Sequence, residues 1–355
     1  MVRAREDVTM AQRQRTIVIR QFIIENVGKH ASNIATVTKE RFGITRQAVF
    51  KHLWHLVEHG VLVPSGTTSG RTYMLRELGR FSATLKRDGL KEDIVWRQSV
   101  LPLLNGASLN VQTIGNIAFT EMLNNAIDHS ESDTIDVDVL LTAATLSMKI
   151  VDHGVGIFRK IAQACDLPDD REAILELTKG KLTTSPEHHS GYGIFFTSRM
   201  VDVFSMASGK LFFTHIRPDD DWLIESDREH LRGTHVECLI SMTSDKTAKE
   251  VYDQFCSSVD SGLAKTHVPI SLAQYGSERL VSRSQAKRVL ARFEKFSEVL
   301  LDFKNVDFIG QAFADEIFRV FRLAHPDVII GYAHTNAQVT KMIRFAMFNV
   351  DGKQR

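Results

Sequence analysis

Cysteine is scarce in this chain: Cys165, Cys238 and Cys256 are the only three in 355 residues, and no two stand as Cys-x-x-Cys. That excludes a disulfide framework and a thiolate zinc site, and it makes a reducing cytoplasm the expected setting. Long apolar runs are lacking too. Stretches such as Val328-Ile329-Ile330 stop far short of the ~20 residues a membrane helix needs. The N-terminus carries charges without an apolar stretch behind them, so no export signal and no membrane partner are expected. With 43% hydrophobic and 25% charged residues, general disorder is excluded as well. A chain of 355 residues exceeds one ordinary core and predicts two or three domains.

Net charge is almost nil at +1, yet it is unevenly spread. Residues 1–80 hold 13 Lys and Arg against 6 Asp and Glu, a surplus of seven that the rest of the chain nearly cancels. A basic end points to a polyanion, a solvated basic face being the alternative. Within it, Ile17, Ile19, Phe22, Ile23 and Val27 recur at near-helical spacing. A second helix is expected from Ser32 to Arg41, capped by Ser32 or Asn33 and broken at Gly43. Thr45 caps a third, running to about His59, with Val49, His52, Leu53, Leu56 and Val57 inward and Arg46, Gln47, Phe50 and Lys51 outward. His52, His55 and His59 on that helix are read as core and surface residues rather than metal ligands. Val61-Leu62-Val63 and Tyr73-Met74-Leu75 flank a turn-rich segment and predict a hairpin.

That order, and the run Ile44-Thr45-Arg46-Gln47-Ala48-Val49-Phe50-Lys51-His52-Leu53, resembles the winged helix–turn–helix of bacterial repressors and activators. The resemblance implies a DNA-binding domain over residues 1–80. Thr45, Arg46, Gln47, Phe50 and Lys51 would contact DNA, the helix N-terminus entering the major groove where Arg and Gln can bond base edges, and Arg71 on the wing would reach phosphate or the minor groove. Such modules often pair, so a homodimer is expected; a winged helix used for protein contacts is the alternative. A linker helix is expected over 81–97.

Farther on, Ile114 to His129 has helical spacing, and Glu121 and Asn125 sit four apart on one face. A carboxylate and a carboxamide so placed suit a water and a hard cation such as Mg²⁺ beside triphosphate oxygens. They equally suit an exposed Glu and a capping Asn. Ile135, Val137, Val139 and Leu141, then Leu146, Met148 and Ile150, alternate as two antiparallel strands. The second delivers Asp152 to a strand end just before Gly154 and Gly156, where a ligand can approach the backbone closely; an ordinary Asp-Gly turn is the alternative. A helix over Arg171–Thr178 leads into Lys179-Gly180-Lys181-Leu182-Thr183, and Gly191-Tyr192-Gly193 opens a helix over Ile194–Val203, a phosphate-type entry. Gly233-Thr234 begins another strand.

Together these four pieces resemble the N, G1, G2 and G3 boxes of GHKL ATPases, the fold of gyrase B subunits, Hsp90, MutL-type proteins and histidine kinases. The resemblance covers about residues 98–243 and implies an α/β sandwich that binds ATP and Mg²⁺. It makes Glu121 the catalytic carboxylate, Asn125 the Mg²⁺ ligand and Asp152 the acceptor for the adenine amino group. The expected nucleotide set also includes Asp128, Gly154, Gly156, Lys181, Thr183, Gly191, Tyr192, Gly193 and Thr234, with 158–190 as a lid in which Lys179 or Lys181 faces the γ-phosphate and His188-His189 is solvated. The helix is also similar to that of anti-sigma serine kinases, which read Glu-x-x-x-Asn-Ala-x-x-His.

The last third alternates helices (Ser282–Phe296, Phe308–Leu323, Gln338–Phe348) with strands (299–303, 328–331), predicting a mostly parallel or mixed sheet. Its stretch 300–316 resembles STAS-like domains, and a STAS-like domain over 262–355 is expected to contact a protein partner in cis or in trans. Gly310-Gln311-Ala312 stands where phosphorylated relatives carry a Ser, so a phosphoacceptor there is not expected. The fold class is therefore a multidomain α/β protein: winged helix, GHKL α/β sandwich, STAS-like α/β domain. The leading functional expectation is an ATP-responsive, DNA-binding regulator with possible ATPase activity. The alternatives are a protein kinase of the anti-sigma or histidine-kinase type, or a scaffold with a degenerate pocket.

Overall fold

The computed structural model describes residues 2–67, 70–182, 191–217, 220–226, 231–256, 263–275 and 278–351. The N-terminal unit is three helices, α1 (Val2–Asn26), α2 (Ile34–Phe42) and α3 (Arg46–Glu58), and a two-stranded antiparallel hairpin of β1 (Leu62–Ser65) and β2 (Thr72–Leu75). Gly43, at φ 60°, ends α2 in the left-handed conformation that glycine takes without a Cβ penalty. Two residues later Thr45 Oγ1 accepts from Ala48 N at 3.2 Å and starts α3. Asn33 occupies the α2 cap position but makes no side-chain bond there. Ile23, Val27, Val49, Leu53 and Tyr73 belong to a core of this unit's own. Ile17, expected inward, is 60% exposed, and Phe22 packs edge-on against Phe42 instead.

The expected linker helix over 81–97 is a misreading. The chain leaves β2 at Leu75 and by Gly79 has entered β3 (Gly79–Lys86), an edge strand of the central sheet paired antiparallel with β4. Its side chains alternate between half-buried and exposed, Phe81, Ala83 and Leu85 turning inward, which is strand and not helix periodicity. Only then come a short α4 (Glu92–Val95), a π turn (Trp96–Val100) and a 3-10 turn (Leu101–Leu104).

The central unit holds α5 (Leu109–His129), β4 (Thr134–Leu141), β5 (Thr145–Asp152), α6 (Ile157–Ala164), α7 (Asp170–Lys179), α8 (Gly193–Met200), β6 (Val203–Gly209), β7 (Leu211–Ile216), β8 (Asp220–Glu225) and β9 (Leu231–Ser241). Seven strands form one antiparallel sheet in the order β3-β4-β5-β9-β6-β7-β8. Ile135, Val137, Val139, Leu146, Met148 and Ile150 are buried on one face, where α5 crosses β5 and β9. Gly115 allows that approach, since a Cβ there would stand 3.2 Å from Leu146 Cδ2 and 3.1 Å from Trp96 Cη2. The other face is polar: Arg80 clasps Asp138 at 2.9 and 3.0 Å, and Thr84 donates to Asp136 at 2.5 Å. Helix α8 ends at Met200, three residues before the expectation, because Val203 already pairs in β6.

After α9 (Ala248–Phe255), the C-terminal unit runs β10 (Lys265–Pro269), α10 (Arg283–Leu290), β11 (Glu298–Asp302), α11 (Gln311–Asp315), a π stretch (Glu316–Phe321), α12 (Arg322–Ala324), β12 (Ile329–Ala333) and α13 (Ala337–Asp351). Its three strands are parallel in the order β10-β11-β12. Ser282 and Gln285 form a capping box at the start of α10. The first strand, β10, was not legible in the sequence. The buried apolar residues of the central and C-terminal units form one continuous core. A mixed α/β multidomain chain, as expected, is what folds. Among the described residues no helix is long and apolar enough to cross a membrane.

Candidate functional site

Four stretches far apart in the chain line one cavity of about 330 Å³. Helix α5 contributes Glu121 and Asn125, the end of β5 Asp152 and Gly156, the entry to α8 Gly191 and Gly193, and β9 Thr234. One wall is apolar, with Met122, Ile150, Met206 and Val236 reaching the cavity from α5 and the sheet. An apolar slot with a few convergent polar groups is the usual build of a small-molecule site.

Asp152 is 4% exposed at the strand end. Its Oδ1 accepts from Gly154 N at 3.0 Å and Thr234 N at 3.2 Å. Burial raises its carboxyl above the ordinary value, opposed by these two N–H donors and by the Thr234 hydroxyl. Thr234 Oγ1 in turn accepts from Ile157 N at 3.0 Å and so ties β9 to the start of α6.

Glycine is required beside this carboxylate at Gly154, where a Cβ would lie 1.7 Å from Ser130 O; at Gly193 a Cβ would press on the Glu121 carboxylate, 2.2 Å from Oε2, a side-chain end that can swing aside. Gly156 (φ 85°) and Gly191 (φ 72°) take left-handed backbone, and a Cβ on Gly156 would meet Ser208 Oγ at 2.5 Å. The backbone itself, not side chains, therefore forms these walls.

The test for a metal-bound polyphosphate is the state of the polar groups in the cavity. Asn125 Nδ2 is buried and has no hydrogen-bond partner, a deficit worth about 1–3 kcal/mol unless a ligand meets it. Because the two ends of a carboxamide exchange by a flip, Asn125 can equally turn its oxygen to a cation. The first two residues of α8, Gly193 and Ile194, line the cavity, and a helix N-terminus is a place that favours anions. The residues present fit a nucleotide with Mg²⁺.

Several expected members do not join them. Lys181 turns the other way: its ammonium donates to Lys295 O and stands 4.8 Å over the Phe296 ring. Lys179 is fully buried against the C-terminal unit. Neither lysine lines the cavity. Asp128 is exposed on α5 and does not line the cavity. Tyr192 packs its ring edge-on against Phe196 at 6.2 Å, and Gly154 supports Asp152 from behind without lining the cavity. Thr183 and His188-His189 lie outside the described residues.

Reading the sequence missed Lys160 and Asn124, which line the cavity, and gave His129 no place in the site. His129 follows Asn125 by four residues as Asn125 follows Glu121, so one helical stripe was the available signal. Lys160, on α6, donates to His129 O at 2.7 Å and Glu131 Oε1 at 2.9 Å. It is the described lysine on the cavity wall.

In the N-terminal unit Arg46, Gln47, Phe50 and Lys51 are exposed on α3, as expected, while Thr45 uses its hydroxyl as the cap. The Arg46 guanidinium sits 5.5 Å over the Phe50 ring, and exposed Arg71 sits 5.8 Å over Tyr73 at the hairpin. His55, Glu58 and His59 group on α3, with His59 Nδ1 bonded to His55 O.

Comparison with known families agrees with this geometry in two places. Residues 76–211 match the model of the histidine kinase-like ATPase domain, and residues 285–340 match that of a STAS-like domain of unknown function (DUF4325). The chain thus carries a histidine kinase-like ATPase (GHKL) domain followed by a STAS-like domain. No curated protein matches it.

Proposed function

We propose that this protein is an ATP-binding, DNA-binding regulator in which the histidine kinase-like ATPase domain and the STAS-like domain govern an N-terminal winged helix. The observation that carries the nucleotide reading is the buried, unpartnered amide of Asn125 in the same cavity as the carboxylate of Asp152. Asp152 accepts the adenine amino group, and Thr234 and the glycine backbone shape the slot around the base. Mg²⁺, held by Asn125, offsets triphosphate charge when bound. Glu121 orients water, and Lys160, which lines the cavity, supplies the cation that Lys179 and Lys181, outside the lining, do not.

DNA binding is supported by the charge surplus of residues 1–80 and the exposed polar face of α3. Coupling is supported by the short connection between the hairpin and the sheet. Leu78 N already donates to Leu141 O at 2.8 Å, and Glu25 of α1 accepts from Thr243 Oγ1 at 3.2 Å. A shift of the sheet edge therefore moves the hairpin directly.

The test is ATP–Mg²⁺ binding and turnover by the full chain beside Asp152→Asn and Glu121→Ala, with DNA affinity measured with and without nucleotide. Loss of binding in Asp152→Asn, loss of turnover alone in Glu121→Ala, and a nucleotide-dependent DNA affinity are the expected results. Binding without turnover would favour a kinase acting on a partner protein. Unchanged DNA affinity would remove the coupling.

A further inference from the structure

Helix α7 spends its polar side chains on the C-terminal unit. Asp169, its N-cap, accepts from the Tyr275 hydroxyl at 2.8 Å. Glu172 accepts from Arg288 Nη1 at 2.9 Å, and Glu176 from Arg292 Nη1 at 2.8 Å. Arg171 Nη2 donates to Gln274 O at 2.5 Å. The Lys179 ammonium donates to Glu176 and to the carbonyls of Arg288 (3.2 Å) and Ala291 (3.1 Å). Backbone is held as well: Thr266 Oγ1 donates to Lys179 O at 2.8 Å and Arg292 Nη2 to Gly180 O at 2.5 Å.

Every residue from Ala173 to Gly180 is buried, so α7 has no solvent side along its second half. The same element borders the nucleotide cavity, where Leu177 and then Leu182 form part of the wall. Moving that wall outward means moving α7. Moving α7 alone keeps the Glu176–Lys179 pair but strips Glu176 of Arg292 and Lys179 of the Arg288 and Ala291 carbonyls, leaving buried charge under-solvated, a costly state.

We propose that the STAS-like domain is a clamp on α7, and that the Glu172–Arg288 and Glu176–Arg292 pairs set the rate at which nucleotide leaves the cavity. The inference rests on the nucleotide reading of that cavity. Regulation then enters through the domain interface: whatever loosens the C-terminal unit from α7 frees the wall, and a filled cavity tightens the interface in return.

The experiment is stopped-flow release of a fluorescent methylanthraniloyl-ATP from the full chain with Mg²⁺. Arg288→Ala and Arg292→Ala are each expected to speed release about tenfold, the scale of one lost charge-assisted hydrogen bond. The exchange Glu172→Arg with Arg288→Glu is expected to return the rate toward wild type. Arg283→Ala, whose partners Asp315 and Glu316 lie within the C-terminal unit, is expected to leave it unchanged. Should Arg292→Ala fail to fold, the Arg288 variant and its exchange decide, because that side chain is one-third exposed. Unchanged release in folded Arg288→Ala overturns the clamp and leaves nucleotide binding standing. A wild type that binds no analogue overturns the nucleotide reading, and the clamp falls with it.

Discussion

Asp152 and Thr234 stand 82 residues apart in the chain, yet the Thr234 N–H donates to Asp152 Oδ1 at 3.2 Å across paired strands. Gly233, just before Thr234, lets the backbone pass so close: a Cβ there would be 2.0 Å from Asp152 O, at φ 75°. The carboxylate is thus held by two main-chain donors, Gly154 N and Thr234 N, with the Thr234 hydroxyl beside them.

Gly233→Ala should therefore damage both stability and site. The left-handed backbone alone costs an L-residue about 1–3 kcal/mol, and the clash adds to it. Gly28→Ala, where nothing lies within 4 Å and φ is ordinary, should be harmless. Thermal denaturation of the two beside wild type checks this, and equal melting temperatures would remove the argument.

Lys160→Met keeps the aliphatic stem and deletes the charge. ATP affinity should fall about tenfold while adenosine affinity holds, since an ammonium near phosphate contributes on the order of 1–2 kcal/mol. Titration calorimetry with both ligands separates the effects. A matching loss for adenosine would mean that Lys160 supports the fold through His129 O and Glu131 instead.

Acid should unlock the C-terminal unit at Asp302, which is 3% exposed. Burial by itself would raise its carboxyl, but His267, the Lys304 N–H and His334 together hold it at about 2. A depressed carboxylate stabilises the fold fully above its unfolded value of 3.8 and loses that contribution as pH falls toward 2. The amount is roughly 2 kcal/mol. Asp302→Asn should lower stability at pH 7 and flatten the pH dependence between about 4 and 2. Denaturant melts across that window measure both, and a parallel acid limb in the variant would contradict the assignment.

On the N-terminal unit, Lys51→Ala should weaken binding to all duplexes alike and reduce the slope of log affinity against log salt by about one. Gln47→Ala should instead narrow the difference between preferred and random sequence. Fluorescence anisotropy at several salt concentrations distinguishes the two. No change with either variant would turn α3 toward a protein partner.

Much of this was legible before any coordinate. Helix α5 and strands β4 and β5 follow from their 3.6- and 2-residue apolar periods, and Asp152, Asn125 and the glycines stood out because each signal sits within a few residues of chain. What the chain did not disclose is long-range. β3 differs from the expected helix although its side chains alternate strictly, because its inward positions are only half-buried and carry few large apolar residues, Phe81 and Leu85. Lys181 was assigned to phosphate, yet its stem follows the C-terminal unit. Lys160 could not be read from the sequence because only the tertiary placement of α6, from which its ammonium reaches His129 O at the end of α5, brings it to the cavity.

By itself, then, the sequence determined most of the helices and the strands β4 and β5, where basic charge gathers, and which residues are candidates for a nucleotide site, because local sterics and side-chain periodicity act within a turn or two of chain. Tertiary structure alone decided which of those side chains share one cavity, that α7 is buried between two domains, and that Arg288 and Arg292 meet its carboxylates. Those outcomes depend on contacts between residues from 31 to 116 positions apart, where the balance of burying apolar surface and pairing buried charge is settled only when the elements dock.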